Sequence, residues 1–301
     1  MRLTFVYFAI ASMLFAIGCK KEEVKVTPSG YEYVMHTNSD GRKAKPGDYV
    51  YFHAQMRNGD SVFYASREMG ATAPFLQIPT EEAELGFGSR KPSPVEEVLR
   101  LMAVGDSVTI FINIDTLPNK PPGFENAKVM YYDVVAIDIK NAEEFAIANE
   151  KQREEERVKR EAAQARVPEI AAMVSKTISD YVGGKLGSQI KTTASGLKYI
   201  LHDPGNGKSA KADKLVSVQY YGALRDGNMF DNSFERGVAF TFQLGKGQVI
   251  PGWDEGIALL KEGGKATLFI PAELGYGAAG SPPVIPENAE LIFYVELEKA
   301  N

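Results

Sequence analysis

The 301-residue chain has few of the residues from which metal and nucleophilic sites are built. It contains one cysteine, and its three histidines are His36, His53 and His202. One cysteine cannot form an intrachain disulfide, and these residues lie too far apart to show metal-ligand spacing or a paired nucleophile. The net charge is −5 at pH 7 without a large basic block, so nucleic-acid binding has no electrostatic support. We therefore expect no metal, no cofactor and no nucleic-acid partner.

The N-terminal segment differs in composition from the rest of the chain. An apolar run over residues 3–17 is too short to span a bilayer comfortably, which favours a signal peptide over residues 1–18. Small residues precede Cys19 and resemble a bacterial lipobox. The resemblance implies a lipidated Cys19 at the mature N-terminus, a tether over residues 19–28, and a lipid-anchored protein of the bacterial cell envelope, on the periplasmic side or the outer-membrane surface. The alternative is a free cysteine in a signal peptide or short anchor.

The chain contains an internal repeat. Residues 94–112 and 252–270 align without gaps, and a glycine, a threonine and a phenylalanine coincide in the two segments. The flanking segments also correspond, and the length of the chain is typical of two domains. We predict two copies of one domain, over residues 29–140 and 185–301.

Each copy is predicted to be α+β. In the second copy, apolar residues alternate with polar ones over residues 216–221, which is typical of a strand. Asp226-Gly227 indicates a hairpin, and Trp253, Ile257 and Leu260 have the spacing of one face of a short helix. Several strands and one short amphipathic helix predict an antiparallel sheet curled over that helix.

The segment between the copies, residues 141–184, is predicted to be a helical linker. It has no glycine or proline before Pro168 and is rich in good helix formers. The charged first half is either a solvated spacer or an arm for dimerisation or client binding. In the second half, four apolar residues share one face and must be buried in the same chain or against another, so a homodimer through this linker is one expectation. These residues are Ile170, Val174, Ile178 and Tyr181.

One glycine-rich stretch, residues 275–280, matches the G-x-G-x-x-G pattern of dinucleotide-binding loops. Such a loop has to open a helix, because the helix N-terminus holds the pyrophosphate. Here Pro282, Pro283 and Pro286 follow, and prolines cannot build a helix interior. The stretch is therefore interpreted as a turn followed by a proline-braced loop.

Several motifs of the second copy occur in a characteristic order. They read VQYYGALRDGNMFDNS, GKGQVIPGWDEG, IPAELGYGAAG and PPVIPENAELIFYVEL. This pattern closely resembles FKBP-type peptidyl-prolyl cis/trans isomerases. The resemblance implies two FKBP-like domains joined by the helical linker, with the glycine run as the turn into a flap over a proline-binding pocket. It also implies proline-containing polypeptide clients and macrolide inhibitors.

The resemblance further implies roles for ten residues of the second copy. A catalytic role falls to Tyr220, Phe230, Asp231, Trp253 and Tyr276. Substrate binding falls to Phe240, Val249, Ile250, Ile285 and Phe293. Within this set the indole of Trp253 would be the floor, the Ile250 N–H and the Tyr276 hydroxyl would bind substrate carbonyls, and Arg236 would orient Asp231. Taken singly, most of these residues would be interpreted as core residues.

The implied chemistry needs neither metal nor nucleophile. Rotation about an X–Pro bond faces a barrier of about 18–20 kcal/mol because of amide resonance. An apolar pocket strips water from the amide oxygen and so penalises the planar, more charge-separated form. We expect a peptidyl-prolyl isomerase that acts on envelope or secreted proteins, with chaperone-like client binding. The alternative is a non-catalytic holdase chaperone or assembly scaffold.

The first copy departs from the pattern. Val95 stands where the second copy has Trp253, and the segment Val62–Ser66 contains no counterpart of Asp231. The Gly-Tyr-Gly turn is missing as well. We interpret the first copy as an FKBP-like domain that has lost the catalytic set. It either binds extended or unfolded chains or only positions the second domain, and a retained proline-binding groove stays open because Pro121-Pro122-Gly123 still indicates a loop there.

Overall fold

The computed structural model describes residues 23–68, 73–80, 92–115 and 117–301. The predicted signal peptide and Cys19 lie outside these residues. The chain divides into two compact units, residues 1–64 with 76–139 and residues 65–75 with 140–301. No helix within the described ranges is both long and apolar enough to cross a membrane.

The first sheet contains seven strands, in the order β1-β2-β6-β7-β3-β4 with β5 paired to β3. One short helix, α1 (Pro94–Leu99), precedes β6. Ser93 caps this helix, because its side chain accepts a hydrogen bond from the Glu96 N–H. The strands are β1 (Val24–Val26), β2 (Glu32–Met35), β3 (Tyr49–Asn58), β4 (Ser61–Ala65), β5 (Phe75–Gln77), β6 (Ser107–Asn113) and β7 (Val129–Lys140).

The second sheet also contains seven strands, in the order β11-β10-β14-β13-β9-β8 with β12 paired to β10. Its strands are β8 (Lys191–Thr192), β9 (Lys198–Asp203), β10 (Leu215–Leu224), β11 (Met229–Asn232), β12 (Phe240–Gln243), β13 (Lys265–Ile270) and β14 (Leu291–Ala300). The helices of this unit are α2 (Ala142–Ala165), α3 (Val167–Val182), α4 (Ser233–Arg236) and α5 (Pro251–Ile257).

The two sheets have the same topology. If the strands of each sheet are numbered from one to seven along the chain, both orders read 1-2-6-7-3-4, with strand five on strand three. Each sheet also has its short helix between strands five and six. The α+β fold with two related domains is therefore confirmed by strand connectivity.

The inner face of the second sheet packs on helix α5. Trp253 and Ile257 of this helix lie in one buried cluster with Val216, Val218 and Leu268 of the sheet. The helix approaches strand β13 closely, because a Cβ on its residue Gly256 would come within 2.5 Å of the Leu268 side chain. This packing fixes the position of the indole of Trp253.

The outer face of the second sheet is covered by helix α3. Ile170, Val174 and Ile178 are buried there in one cluster with Phe269 and Ile292. The apolar stripe predicted for this helix is thus buried within its own chain. Because α3 covers the outer face and α5 the inner face, β13 and β14 are buried on both faces and do not alternate simply between buried and exposed residues.

Helix α2 begins at a capping box and is solvated. The Asn141 side chain accepts a hydrogen bond from the Glu144 N–H at 2.8 Å, and the Glu144 carboxylate accepts one from the Asn141 N–H at 2.8 Å. None of its residues is buried, and Arg157 pairs with Glu154 (2.5 Å) and Glu161 (2.6 Å) on its surface. A homodimer through the helical segment stays a prediction, and it would have to use α2 because the stripe of α3 is covered.

Candidate active site

The β10–β11 hairpin brings Phe230 and Asp231 close to Tyr220. Strand β10 carries Tyr220, and strand β11 carries Phe230 and Asp231. The strands are joined at Gly227, whose φ of 92° suits a glycine, and the Leu224 N–H donates to the Asn228 carbonyl at 2.9 Å. The predicted turn therefore sets the register that places Asp231 beside Tyr220.

The glycine-rich stretch leads into a flap and does not open an α-helix. Short 3₁₀ turns span Ala272–Leu274 and Gly277–Ala279. Ser281 and Ile285 then exchange backbone hydrogen bonds of 2.9 Å, which closes a small loop. Gly280 has a φ of 61°, and a Cβ there would come within 2.5 Å of the Ile285 carbonyl oxygen. The last glycine of the pattern is thus required by the flap, and the dinucleotide interpretation is excluded by geometry.

All ten predicted site residues of the second copy line one cavity of about 450 Å³. The sequence motifs place them on β10, β11, β12, β14, the start of α5 and the flap. Four further residues also line the cavity, namely Gln248, Ser281, Pro282 and Val284. Cys19, the predicted lipidation site, lies outside the described residues.

The floor of the cavity is a cluster of aromatic rings around Trp253. The indole is 5% exposed, and its ring centroid lies 4.9 Å from that of Tyr220 and 5.2 Å from that of Phe293, both edge to face. Phe230 meets Phe293 in the same geometry at 5.3 Å, and Phe240 lies 6.1 Å from the indole. Edge-to-face packing of this kind gives a rigid apolar bed.

The indole N–H of Trp253 is buried and has no hydrogen-bond partner within the part of the chain that the structure describes. A buried donor without an acceptor carries a desolvation cost of about 1–3 kcal/mol. The floor of the cavity is thus apolar except for this buried N–H group.

Asp231 is fixed at the polar edge of the cavity by three donors. It accepts hydrogen bonds from the Tyr220 hydroxyl, the Arg236 guanidinium and the Asn232 N–H, the last at 2.8 Å. Arg236 also donates to the Tyr220 hydroxyl at 2.6 Å. The predicted orientation of Asp231 by Arg236 is present in this geometry.

The environment keeps the Asp231 carboxyl ionised. Burial alone raises the pKa of Asp231, but the hydrogen bonds from Tyr220 and Arg236 outweigh it, so the pKa lies below its ordinary value. Burial, followed by the hydrogen bond to Asp231, raises the pKa of Tyr220 to about 12. At neutral pH the edge of the cavity thus holds a carboxylate and a neutral phenol.

Two donors at the cavity are available to a ligand. The Ile250 N–H has no acceptor within the described residues, because Ile250 stands before the first turn of α5. The Tyr276 hydroxyl likewise has no partner there, and this side chain is 43% exposed. Both residues line the cavity, and both can donate to a carbonyl oxygen.

One residue needed for the cavity escaped the sequence analysis. A Cβ on Gly222 would come within 2.7 Å of Phe293 and 2.8 Å of Phe230, which is closer than real contacts allow. Both rings lie over this glycine near the C-terminal end of β10. A glycine in a strand often marks such a close approach, but the sequence alone does not show which side chains approach it.

Within the described ranges, no group of three or more histidine, cysteine, aspartate or glutamate side chains is placed to hold a metal ion. What the cavity offers is an apolar floor, a fixed carboxylate and two unpaired donors. This combination suits a small apolar ring attached to a carbonyl group.

Comparison with known proteins agrees with this arrangement. The family model of FKBP-type peptidyl-prolyl cis-trans isomerases matches residues 206–298. The probable FKBP-type peptidyl-prolyl cis-trans isomerase FkpA of Neisseria meningitidis serogroup B is 50% identical over 110 residues, which cover 36% of this chain and 40% of that protein. The FK506-binding protein of Neisseria meningitidis serogroup C is 55% identical over 93 residues, which cover 31% of this chain and 85% of that protein. The crystal structure of FkpA from Escherichia coli is 40% identical, with a TM-score of 0.38, over 54% of this chain and 74% of that one.

The chain belongs to the family of FKBP-type peptidyl-prolyl cis-trans isomerases. The matched segment lies in its second copy and includes all ten site residues. The chain nevertheless spans less than half the length of the FkpA relative from Neisseria meningitidis.

The first copy lacks the same arrangement at the equivalent positions. Thr109 pairs with Asp133 as Thr267 pairs with Tyr294, so Tyr132 occupies the position of Phe293. The segment Val62–Ser66, which corresponds to the region of Phe230 and Asp231, contains no carboxylate, and Phe63 lies within it. The ring of Phe63 packs on Phe124 at 4.8 Å.

Proposed function

We propose that the second domain catalyses cis/trans isomerisation of X–Pro peptide bonds. The observation that carries the proposal is the convergence of nine residues from four separated motifs, together with Phe240 of β12, on one cavity with an aromatic floor. The cavity has the size and polarity of a site for a prolyl ring and its preceding carbonyl group.

In the proposed mechanism the pyrrolidine ring packs on Trp253 and the walls of the cavity. The Ile250 N–H and the Tyr276 hydroxyl hold substrate carbonyls, which fixes the peptide on either side of the rotating bond. Removal of water from the amide oxygen then raises the energy of the planar form relative to the twisted form. Each 1.4 kcal/mol of this difference gives about a tenfold acceleration.

The Asp231 carboxylate contributes a fixed charge beside the rotating amide. Its three donors hold it in one orientation, so it does not reorganise as the bond twists. Because the carboxylate stays ionised, the charge is present throughout the physiological pH range.

The test is an isomerase assay of the full chain on a proline-containing tetrapeptide, by protease coupling or NMR exchange, with FK506 as a competitor. We expect turnover above the uncatalysed rate and inhibition by the macrolide. Tyr220→Phe should lower kcat/KM about three- to tenfold through loss of one hydrogen bond to a charged group. The control is Tyr221→Phe, because Tyr221 is the next residue of β10 and packs in the cluster on the opposite face of the sheet. Absence of turnover in the wild-type chain would refute the proposal.

A second candidate function, client holding without catalysis, is favoured by the first copy. Val62 and Phe63 are 50% and 45% exposed on the edge strand β4, and exposed apolar groups of this kind bind unfolded polypeptides. If holding resides there, Trp253→Ala should abolish isomerisation and leave suppression of aggregation intact. The double variant Val62→Ser, Phe63→Ser should lose suppression of aggregation and keep isomerisation. Equal loss of both activities in either variant would count against separate sites.

We also propose that the protein acts in the bacterial cell envelope as a lipoprotein anchored through Cys19. The support is the apolar N-terminal run and the small residues before the cysteine. Mass spectrometry of the mature chain should find an acylated N-terminal cysteine, and Cys19→Ser should abolish acylation. An unmodified Cys19 in the membrane fraction would refute this assignment.

A further inference from the structure

Helix α4 is a single turn that lies between the cavity and helix α2. At its end, Arg236 donates to Asp231 and, at 2.6 Å, to the Tyr220 hydroxyl. One residue earlier, the Glu235 carbonyl accepts a hydrogen bond of 2.9 Å from the Gln164 side chain of α2. Glu235 thus binds helix α2, and the next residue, Arg236, binds the edge of the cavity. A displacement of α2 would therefore reach Arg236 through a single turn of backbone.

The end of α4 also lies close to the backbone of α2 at one point. Gly237 ends α4 with a φ of 68°, and a Cβ there would overlap the Arg160 side chain and come within 2.8 Å of the Arg160 Cα atom. Further along, the Arg166 guanidinium lies 5.2 Å from the centre of the buried Phe234 ring and donates to Glu296 at 3.0 Å. Helix α2 therefore approaches the end of α4 closely at Arg160, beside a cavity of about 720 Å³ that residues of both helices line.

This support comes from a part of the chain that precedes the family match. The match begins at residue 206, whereas α2 ends at Ala165. The α2 side of this contact thus lies outside the segment that matches the family model.

We propose that Gln164 and Arg160 are positioning residues that hold α4 from behind and so fix Arg236 and Asp231 at the edge of the cavity. They touch neither the cavity nor its predicted substrate. The kinetic part of this inference rests on the proposed isomerase function.

Loosening this contact has a specific chemical consequence. If Arg236 moves away, Asp231 loses a charge-assisted donor while it stays partly buried. Burial without that donor disfavours the carboxylate, so the Asp231 carboxyl would titrate at higher pH. No residue of α2 lines the cavity, so binding of the prolyl ring should change little.

The test compares two glutamines of helix α2 in the full chain. Gln164→Met removes the donor to Glu235 and keeps side-chain length and helix propensity. Gln152→Met is the matched control, because the Gln152 amide donates to Glu156 of the same helix at 2.9 Å and lies outside the contact with α4. The measurements are kcat and KM for a proline tetrapeptide and the NMR titration of the Asp231 carboxyl.

Relative to the control, we expect Gln164→Met to lower kcat about three- to tenfold, to leave KM within about twofold, and to raise the titration midpoint of Asp231. Gln164→Lys, which restores a donor, should recover kcat. Identical kcat and identical Asp231 titration in Gln164→Met and the control would overturn the inference. The titration does not depend on turnover, so a shift confined to Gln164→Met supports the inference even if the wild-type chain fails as an isomerase.

Discussion

Replacing Trp253 with phenylalanine should separate the stability of the aromatic floor from its function. Truncation of a buried aromatic side chain to alanine costs about 3–5 kcal/mol, and a substitution that keeps a six-membered ring should cost only about 1 kcal/mol in packing. The indole N–H is buried without an acceptor in the described part of the chain, and removing such a donor returns about 1–3 kcal/mol. The free energy of unfolding should therefore be unchanged or up to about 2 kcal/mol higher.

Activity should respond in the opposite direction. The smaller phenyl ring makes fewer contacts with the prolyl ring of the substrate. A loss of about 1.4 kcal/mol of contact energy in the transition state would reduce kcat/KM about tenfold. Unfolding is measured by circular dichroism in guanidinium chloride, because Trp253 is the only tryptophan and its fluorescence is lost in the variant. In the wild-type chain the same fluorescence reports directly on the cavity, and FK506 should change it.

The matched control is Trp253→Leu, which removes the ring and should lower both stability and activity. A loss of more than about 3 kcal/mol in Trp253→Phe would show that the indole N–H has a partner and would refute the stability argument. Unchanged kcat/KM would refute the assignment of the indole as the floor under the substrate.

Two further predictions concern the same cavity. Gly222→Ala should force Phe230 and Phe293 into the cavity, so kcat/KM should fall about tenfold or more while overpacking costs about 1–3 kcal/mol in guanidinium unfolding; a fully active variant would contradict this packing. The pH profile of kcat/KM should be flat from about pH 5 to pH 9, because the pKa of Asp231 is lowered and that of Tyr220 is raised to about 12. The stability that Asp231 contributes is present above its ordinary pKa and is lost as the pH falls through the lowered pKa. A titration midpoint of kcat/KM near neutral pH would refute the assignment of an ionised Asp231 and a neutral Tyr220.

The residues of the cavity could be predicted because most of them lie in short linear motifs. A turn signal at Asp226-Gly227, a proline-opened helix at Trp253 and the glycine-rich flap each fix local structure, and the sheet then brings them together. What the sequence did not supply was the close approach of two rings to Gly222. That approach depends on which strands are neighbours, and pairing between β10 and β14 joins residues far apart in the chain.

The helical segment shows a different limit of sequence analysis. Its apolar stripe predicted burial correctly, but periodicity cannot say which surface a stripe contacts. The contact of α2 with α4 is carried by an exposed glutamine, an arginine and a glycine, none of which has a periodic signal. Asn141 and Glu144, by contrast, match a capping box that the sequence does contain.

The two copies explain why fold and activity have to be assigned separately. The same strand order needs only alternating core positions and one short helix, and both copies have these. The cavity of the second copy needs in addition an indole at 253, a carboxylate at 231 and a glycine at 222. The first copy has Val95 in place of the indole and no carboxylate in the segment Val62–Ser66, so it cannot form the same floor or charged edge. The fold therefore tolerates loss of the site, and we expect the proposed isomerase activity in the second domain.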